Sequence, residues 1–491
     1  MFVLSVAVSA AVVQLASGSI NGQHASYNGL AQTPALGWNN WATFECNVNE
    51  ELLIGTAQKL LDLGLKDLGY KYVVLDDCWS EGRNSEGFLE PDLNKFPHGM
   101  RVVSDRLHDM GLKFGMYSSA GKWTCAGFEG SLGHEVEDAT KLAEWGVDYF
   151  KYDNCYNEGQ YGTAEVSFNR YKRMSDALVN SGREIVYSLC NWGEDSPWDW
   201  APTIANSWRM AGDLYDSYSR PDQRCPCTGD DFTCKLAGFF CSFTNVLGKA
   251  AAYVSKARPG AWNDLDILEV GNGGSTDDEY ITHFSMWAAL KSPLMMGNDI
   301  RSMDPKAYSI LTNPAVLAIN QDPLGSSAAR MWKVDVSDKD RWGYGENSLW
   351  SGRLANGDQV VALINGANNA LNLNATLDDI FVDSGTGGTS PKSAQEWDIY
   401  DLWANRLSDK DAQAIIDGSI TPQDAVKQGL IYNSTAKSYA QGLAENEPLL
   451  FGKAIGTVGP HGTIQSRIPA HGTVLYRLRP AAKKQFIKQD L

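Results

Sequence analysis

Several short apolar stretches of this 491-residue chain end in aspartate, a residue type that transfers protons and acts as a nucleophile. Six aspartates stand in such positions, namely Asp76, Asp77, Asp153, Asp213, Asp264 and Asp266. Any one of them alone is more often a cap or a surface residue. A buried pair has specific chemistry, because one carboxyl group protonates a departing oxygen while the other faces the anomeric carbon. The pattern therefore raises hydrolysis of a glycosidic bond as a hypothesis.

The segment Lys-Tyr-Asp-Asn-Cys at 151–155 combines three reactive residue types at alternate positions. On a strand, Lys151, Asp153 and Cys155 point to the same side. The charge of Lys151 then helps to keep Asp153 ionised, as a carboxylate nucleophile must be. The alternative is a structural ion pair, and these residues alone leave both interpretations open.

A second grouping of basic and acidic residues occurs in Ser-Trp-Arg-Met-Ala-Gly-Asp at 207–213. Arg209 offers a planar fork of donors that suits sugar hydroxyl groups. Asp213, directly after a glycine, is the candidate proton donor. Together with Asp153 it would complete the pair of carboxyl groups.

Positioning these side chains requires strands that end at one common edge. From about residue 33 to 300, short apolar strands alternate with amphipathic helical patterns, which predicts a parallel sheet of the α/β class. Eight strands are expected, at 36–38, 72–75, 113–117, 149–152, 185–189, 207–209, 261–263 and 293–296. Eight units of this size predict a (β/α)8 TIM barrel, whereas periodicity alone also allows a doubly wound sheet. The polar strand ends favour the barrel, because barrel enzymes assemble their sites there.

After about residue 325 the pattern changes to strand-like stretches separated by turn signals. This pattern predicts an antiparallel C-terminal β-sandwich domain. We therefore predict three parts, a signal peptide over residues 1–18, a catalytic barrel over 28–325 and the β-sandwich over 326–480.

The first residues are typical of a secretory signal. Residues 2–15 are mostly apolar and are followed by Ala-Ser-Gly, although no Lys or Arg precedes Lys59. A second hydrophobic stretch of spanning length is not found, so we expect no membrane association. The expected location is secreted and extracellular, or the periplasmic or cell-wall space. Two N-glycosylation sequons, at Asn374 and Asn433, agree with export.

Charge and cysteine content narrow the class of protein further. The formal net charge of −17 repels phosphate backbones, so we expect no nucleic-acid partner. Nine cysteines behind a secretory signal favour disulfides, with at least one thiol left unpaired in the chain. A zinc site is the alternative for Cys225, Cys227, Cys234 and Cys241. Because no His accompanies the strand-end carboxylates, a catalytic zinc is improbable, and we expect no metal and no cofactor.

Five motifs follow one another along the chain. They are Leu-Gly-Trp-Asn-Asn-Trp at 36–41, Leu-Asp-Asp-Cys-Trp at 75–79, Tyr-Asp-Asn-Cys at 152–155, Ser-Trp-Arg-Met-Ala-Gly-Asp at 207–213 and Trp-Asn-Asp-Leu-Asp at 262–266. In this order they resemble the α-galactosidases of glycoside hydrolase family 27, above all the secreted yeast melibiases. The resemblance covers about residues 28–480. It implies a barrel plus β-sandwich, and removal of terminal α-D-galactosyl residues from melibiose, raffinose or galactomannan side chains, with retention of configuration.

The same resemblance implies a role for each motif residue. Asp153 would attack the anomeric carbon, and Asp213 would protonate the leaving oxygen and then activate water. The implied galactose-binding residues are Trp41, Asp76, Asp77, Tyr117, Lys151, Arg209 and Asp266. Among them, Asp76, Asp77 and Lys151 would hold the 4- and 6-hydroxyl groups, and the arginine would lie near the 2-hydroxyl group.

The resemblance also has implications for covalent and quaternary structure. It implies the disulfides Cys46–Cys78, Cys125–Cys155, Cys225–Cys241 and Cys227–Cys234. Cys190 would remain free. Resemblance to the yeast enzymes further implies a homotetramer.

Three alternatives to an α-galactosidase remain open. An α-N-acetylgalactosaminidase needs small residues beside the 2-position of the sugar, whereas Cys-Asn-Trp-Gly at 190–193 is bulky and favours galactose. A β-L-arabinopyranosidase accepts galactose without its hydroxymethyl group, and Asp77 and Trp41 favour a pocket that accepts that group. A non-catalytic sugar-binding protein would tolerate loss of either carboxylate, yet both Asp153 and Asp213 are present in full motif context.

Overall fold

The computed structural model describes residues 27–220, 241–382 and 390–481. The strands up to residue 320 are β1 (Leu36–Asn39), β2 (Tyr72–Val74), β3 (Ser80–Arg83), β4 (Leu89–Pro91), β5 (Lys113–Ser119), β6 (Tyr149–Asp153), β7 (Val186–Cys190), β8 (Ser207–Arg209), β9 (Trp262–Asp264) and β10 (Leu294–Met296). The helices of this part are α1 (Trp41–Phe44), α2 (Glu50–Asp62), α3 (Gly99–Asp109), α4 (Glu135–Trp145), α5 (Ala164–Asn180), α6 (Pro197–Trp200), α7 (Phe243–Ala250), α8 (Asp277–Ala289), α9 (Pro305–Leu311) and α10 (Pro314–Asn320).

Eight of these strands form a parallel sheet in the order β10-β1-β2-β5-β6-β7-β8-β9. Leu268, just after β9, closes the ring through a parallel bridge to Met296, and its N–H donates to the Met295 carbonyl at 2.7 Å. The strands are short and mostly buried, as expected of a barrel that is filled inside and covered by helices outside. The prediction of a (β/α)8 barrel is confirmed, and closure of the sheet excludes the doubly wound alternative.

Local signals set the elements on either side of β6, the strand that ends in Asp153. Helix α4 ends at Gly146, whose φ of 81° is the left-handed conformation that favours glycine at a helix end. The chain then turns directly into β6. Helix α5 begins after Thr163, whose side chain accepts a hydrogen bond from the N–H of Val166.

The C-terminal part is an antiparallel β-sandwich, as predicted. Its strands are β11 (Ala329–Asp335), β12 (Glu346–Arg353), β13 (Gln359–Ile364), β14 (Leu371–Thr376), β15 (Trp397–Asp401), β16 (Lys453–Val458), β17 (Thr463–Ile468) and β18 (Thr473–Pro480). Six strands form one sheet in the order β11-β12-β13-β18-β15-β16, and β14 pairs with β17 across a shared apolar core. Because α10 ends at Asn320 and β11 begins at Ala329, we propose the domain boundary near residue 325.

Helices also occur inside the second part, which the strand-like pattern did not predict. They are α11 (Leu377–Ile380), α12 (Asp409–Ile416), α13 (Pro422–Lys427) and α14 (Tyr439–Ala444). The last three lie between β15 and β16 and pack against the barrel. The Tyr439 hydroxyl, for example, donates to the Leu68 carbonyl at 2.9 Å, which joins the two parts.

The two sequons lie in different surroundings. Asn374 is exposed on β14, whereas Asn433 is partly buried and its side-chain oxygen accepts the N–H groups of Thr435 and Ala436 at 3.0 and 2.8 Å. The predicted signal peptide lies outside the described residues. Within the described ranges, none of the helices combines the length and the apolar character needed to cross a membrane.

Candidate active site

Asp153 ends β6, and only 6% of its surface is exposed. The Tyr117 hydroxyl donates to Oδ2 at 2.9 Å, and the N–H of Asn154 donates to Oδ1 at 2.9 Å. Burial, together with the negative charge of Asp213, raises the pKa of Asp153 to about 6, although the charge of Lys151 opposes this rise. Asp213 therefore contributes to the electrostatic environment of Asp153.

Lys151 precedes Asp153 by two residues and points to the same side of β6. Its Nζ donates to Asp76 Oδ2 at 2.7 Å, and the same oxygen accepts Asn39 Nδ2 at 2.7 Å. Burial opposes the charge of Lys151, but Asp76 and the other negative groups around it keep its pKa well above the usual value. The lysine therefore remains a cation beside Asp153.

Arg209 ends β8 and is the second cation of the site, 3% exposed. Its Nη2 contacts Asp213 Oδ1 at 3.1 Å and Asp266 Oδ2 at 2.7 Å, and its Nη1 donates to Cys190 Sγ at 3.4 Å. The side chain of Asp213 is 30% exposed, so solvent reaches it, whereas Asp266 is buried. Arg209 therefore joins a deep carboxylate to one at the open mouth of the barrel.

Asp77 is held by backbone groups from two loops. Its Oδ1 accepts the N–H of Cys78 at 2.7 Å, and its Oδ2 accepts the N–H of Ala126 at 2.9 Å. Burial raises the pKa of Asp77, and these two hydrogen bonds oppose that rise. Because both donors follow or belong to disulfide-bonded cysteines, the covalent framework of the mouth helps to hold this carboxylate.

The described cysteines form two of the four expected disulfides. Cys46 pairs with Cys78 and Cys125 with Cys155, with Cα–Cα distances of 5.2 and 5.1 Å, and Cys190 is free and buried. The other two expected pairs and the zinc alternative involve Cys225, Cys227 and Cys234, which lie outside the described residues. Cys241 is disulfide-bonded.

Trp41 and Tyr117 complete the set predicted from the sequence. Trp41 opens α1, is partly buried, and donates its N–H to Asn39 Oδ1 at 2.7 Å. The ring of Tyr117 lies 5.3 Å from Lys151 Nζ. Contacts thus join Lys151, Tyr117 and Asp153 in one group and Arg209, Asp213 and Asp266 in a second. The two groups meet at one cavity, which Lys151, Arg209 and Asp266 line together.

Other residues of the site were not assigned a role from the sequence. Asn39 and Asn154 stand inside the quoted motifs, so the signal for them was available. Helix α5 contributes the Tyr171 hydroxyl, which donates to the Asp153 carbonyl at 3.1 Å, and no motif marks this position. Asp264, a strand-end candidate, accepts the N–H of Asp266 at 2.8 Å, and burial raises its pKa. In the described part of the chain, no three His, Cys, Asp or Glu side chains are grouped to hold a metal ion.

A closed (β/α)8 barrel with paired carboxyl groups and two buried cations at its mouth defines the class of barrel glycosidases. The family model described as alpha galactosidase A matches residues 33–322, and the model of the alpha galactosidase C-terminal beta sandwich domain matches residues 344–426. An α-galactosidase from Zygotorulaspora mrakii is 56% identical over 479 residues, which cover 98% of this chain and 100% of that protein.

Solved structures give the same result. The α-galactosidase of Saccharomyces cerevisiae, solved with raffinose, has a TM-score of 0.89 and 54% identity, and the match covers 93% of this chain and 99% of that chain. Alpha-galactosidase 6 of the same yeast is 55% identical over 457 residues, covering 93% of this chain and 96% of that protein. The chain therefore belongs to the α-galactosidases of glycoside hydrolase family 27.

Proposed function

We propose that this protein is a retaining exo-glycosidase that removes terminal non-reducing α-D-galactosyl residues from galactosides and from oligosaccharides such as melibiose and raffinose. The observation that carries the proposal is the geometry of the barrel mouth, where Asp153 ends the strand that carries Lys151 and Asp213 contacts Arg209 at the end of β8. Two carboxyl groups in this arrangement are the minimal machinery for cleaving a glycosidic bond. Membership of the family supplies the sugar, since the relatives above are α-galactosidases.

In the proposed mechanism Asp153 is the nucleophile. Its ionised carboxylate attacks the anomeric carbon, the glycosidic bond breaks, and a covalent galactosyl ester forms. Asp213 gives its proton to the leaving oxygen and then removes a proton from the water that hydrolyses the ester. Lys151 stabilises the ionised form of Asp153, and Tyr117 holds one of its oxygens by hydrogen bonding.

We propose that the remaining residues of the network bind the sugar. Asp76, Asp77 and Lys151 hold the 4- and 6-hydroxyl groups, and Arg209 donates to the 2-hydroxyl group. Trp41, Tyr117 and Asp266 complete the pocket. The charged pairs Lys151–Asp76 and Arg209–Asp266 support this assignment, because each is buried yet directed to the mouth of the barrel.

The choice of galactose over N-acetylgalactosamine follows from the loop after β7. Trp192 is 7% exposed there, and we propose that its indole fills the space that an acetamido group would require. We expect p-nitrophenyl α-D-galactopyranoside to be hydrolysed at least 10²-fold faster than the corresponding N-acetylgalactosaminide, because a filled pocket rejects added bulk. The corresponding β-L-arabinopyranoside should also be the poorer substrate, and the reverse order would replace galactose as the proposed sugar.

Azide rescue of two variants tests the role of each aspartate. Asp153→Gly removes the nucleophile, so added azide should attack an activated α-galactoside from the opposite face and yield β-galactosyl azide. Asp213→Gly keeps the nucleophile, so azide should intercept the covalent ester and yield α-galactosyl azide. If Asp153→Gly gave α-galactosyl azide and Asp213→Gly gave β-galactosyl azide, the two aspartates would have the opposite roles. Unchanged hydrolysis by Asp153→Gly would contradict the assignment.

We further propose that the protein is exported to the extracellular, periplasmic or cell-wall space and assembles as a homotetramer. The two disulfides at the mouth support export, because such bonds persist in oxidising compartments. Analytical ultracentrifugation of the secreted protein after deglycosylation should give about four times the mass of the mature chain. The full 491-residue sequence, with the predicted signal peptide, weighs 53.8 kDa. A monomer mass would remove the tetramer from the proposal.

A further inference from the structure

Arg170 is a buried residue of α5 that the proposed mechanism does not use, and it is 1% exposed. Its guanidinium group donates three hydrogen bonds. Nε reaches the Gln160 carbonyl at 2.9 Å, Nη1 reaches the Ala120 carbonyl at 2.8 Å, and Nη2 reaches Asn154 Oδ1 at 2.6 Å. These acceptors belong to the segment after β5, the segment after β6 and the loop before α5. One side chain therefore fixes two backbone segments and the side chain of Asn154 around the end of β6.

The charge of Arg170 is unusual in its surroundings, because all three acceptors are uncharged oxygens. Among the described residues, no carboxylate forms an ion pair with it, whereas Lys151 pairs with Asp76 and Arg209 pairs with Asp213 and Asp266. A buried cation without an anionic partner is costly. If this position of α5 only had to be filled, a neutral side chain would fill it without the cost of burying a charge.

Asn154 links Arg170 to the catalytic carboxylate. Its side-chain oxygen accepts from Arg170, and its Nδ2 donates to Glu194 Oε2 at 2.6 Å. A guanidinium donor on one side and a carboxyl acceptor on the other allow a single orientation of this amide. The Tyr171 hydroxyl lies 3.3 Å from the same Asn154 oxygen, which anchors the side chain further.

The backbone of Asn154 in turn holds the nucleophile. Its N–H donates to Asp153 Oδ1 at 2.9 Å, while Tyr117 holds Oδ2 from the other side. A displacement of the attacking oxygen by about 1 Å reduces such a reaction by about 10²-fold. We propose that Arg170 is a positioning residue that fixes the attacking carboxylate of Asp153 through Asn154.

This inference rests on the proposed function, and covalent labelling tests both separately. The probe is 5-fluoro-α-D-galactopyranosyl fluoride. An Asp153 oxygen forms a bond to the anomeric carbon, the C–F bond breaks, and fluoride leaves with the electron pair without needing a proton from Asp213. The limiting labelling rate reports the position of the nucleophile, and the inhibition constant of free galactose reports the sugar-binding residues. Mass spectrometry identifies the labelled residue.

Arg170→Met should lower the limiting labelling rate by about 30- to 100-fold and change the inhibition constant of galactose less than about threefold. The matched control is Arg173→Met, one turn further along α5, where the side chain is 47% exposed and pairs with Glu135. The control should label at the parent rate. Arg170→Lys keeps the charge but not the fork of donors, so it should label at an intermediate rate.

Asn154→Ala is a second test, because it removes the hydrogen bond between Arg170 and the side chain of residue 154 while Arg170 itself is unchanged. It should reproduce the loss seen in Arg170→Met, and the double variant should be little slower than either single variant. Parent labelling rates in either single variant, even with a lower melting temperature, would overturn the positioning role. A parallel weakening of galactose inhibition would also overturn it. Absence of label on Asp153 in the parent would instead refute the proposed function itself.

Discussion

The barrel mouth and the junction between barrel and sandwich both bury charged side chains, but they balance them differently. At the mouth, Lys151 pairs with Asp76, and Arg209 pairs with both Asp213 and Asp266. Since Asp77, Asp153 and Asp264 stand at the same strand ends, carboxyl groups outnumber these two cations. At the junction, Arg477 and Arg479 share one aspartate, Asp358, at 3.0 and 3.5 Å.

In both regions burial shifts pKa values so that the charged form of a side chain is disfavoured, but the two regions differ in how far opposite charges compensate. At the junction it raises the pKa of Asp358 and lowers that of Arg477, and the attraction between the two opposes both shifts. At the mouth, burial and the negative charge of Asp213 together raise the pKa of Asp153 to about 6. Replacing Asp358 by a neutral residue should therefore destabilise the junction. Replacing Asp153 by a neutral residue should stabilise the mouth, where the excess negative charge serves the proposed reaction.

The largest expected effect is on catalysis. Asp153→Asn keeps the shape of the nucleophile but not its charge, so kcat for p-nitrophenyl α-D-galactopyranoside should fall by more than about 10⁴-fold. Equilibrium dialysis with galactose should still detect binding, because the other sugar-binding residues are unchanged. Turnover near the parent rate would place the nucleophile elsewhere.

At the junction the corresponding change should act on stability alone. Asp358→Asn leaves Arg477 buried without its anion, so the free energy of unfolding should fall by about 3–5 kcal/mol. Denaturant unfolding at pH 7 measures the loss, and kcat of the folded enzyme should equal that of the parent. A stability change below about 1 kcal/mol would show that the pair contributes little.

Stability at the mouth should change in the opposite direction. The pKa of Asp153 is about 6 in the folded chain, whereas its ordinary value is 3.8. The folded chain therefore holds this proton more tightly than the unfolded chain, and its stability falls as the pH rises from 3.8 to about 6. Asp153→Asn should therefore raise the free energy of unfolding at pH 7 by on the order of 2 kcal/mol. Below about pH 4 the gain should vanish. A gain of the same size at both pH values would have another cause.

The smallest effect expected is a shift in pH dependence. The parent should lose kcat/KM for a dinitrophenyl α-galactoside below about pH 6, because the proposed nucleophile must be ionised and the pKa of Asp153 is about 6. This leaving group departs without a proton, so Asp213→Asn can be compared directly. Asp213→Asn removes the negative charge that helps to raise the pKa of Asp153, so the acid limb should move to lower pH. An unmoved limb would mean that the two carboxyl groups do not interact.

The sequence predicted the mouth better than the junction, and the reason is physical. Aspartates at the ends of apolar strands produce a regular pattern, and parallel strands of a closed barrel bring their carboxyl ends together. The position of Asp153, Lys151 and Arg209 therefore followed from the order of the chain. Asp358 and Arg477 are separated by 119 residues and no local pattern marks either one.

Two features could not be derived from local patterns. Helices α12–α14 interrupt a region whose sequence pattern predicts strands. They pack on the barrel through contacts between residues far apart in the chain, such as Tyr439 and Leu68, which are 371 residues apart. Arg170 lies among other polar residues of α5, and only the folded chain brings it to Ala120, 50 residues earlier. Tertiary contacts of this kind decide the role of a side chain that its neighbours in sequence do not reveal.

The central claim is that Asp153 and Asp213 carry out a double displacement on an α-galactoside. Proton NMR of the protein acting on p-nitrophenyl α-D-galactopyranoside tests it most directly, through the anomer of galactose that is released first. The account predicts α-galactose initially, followed by slow mutarotation to the equilibrium mixture. Initial β-galactose would contradict it, because a single displacement by water would then replace attack by Asp153.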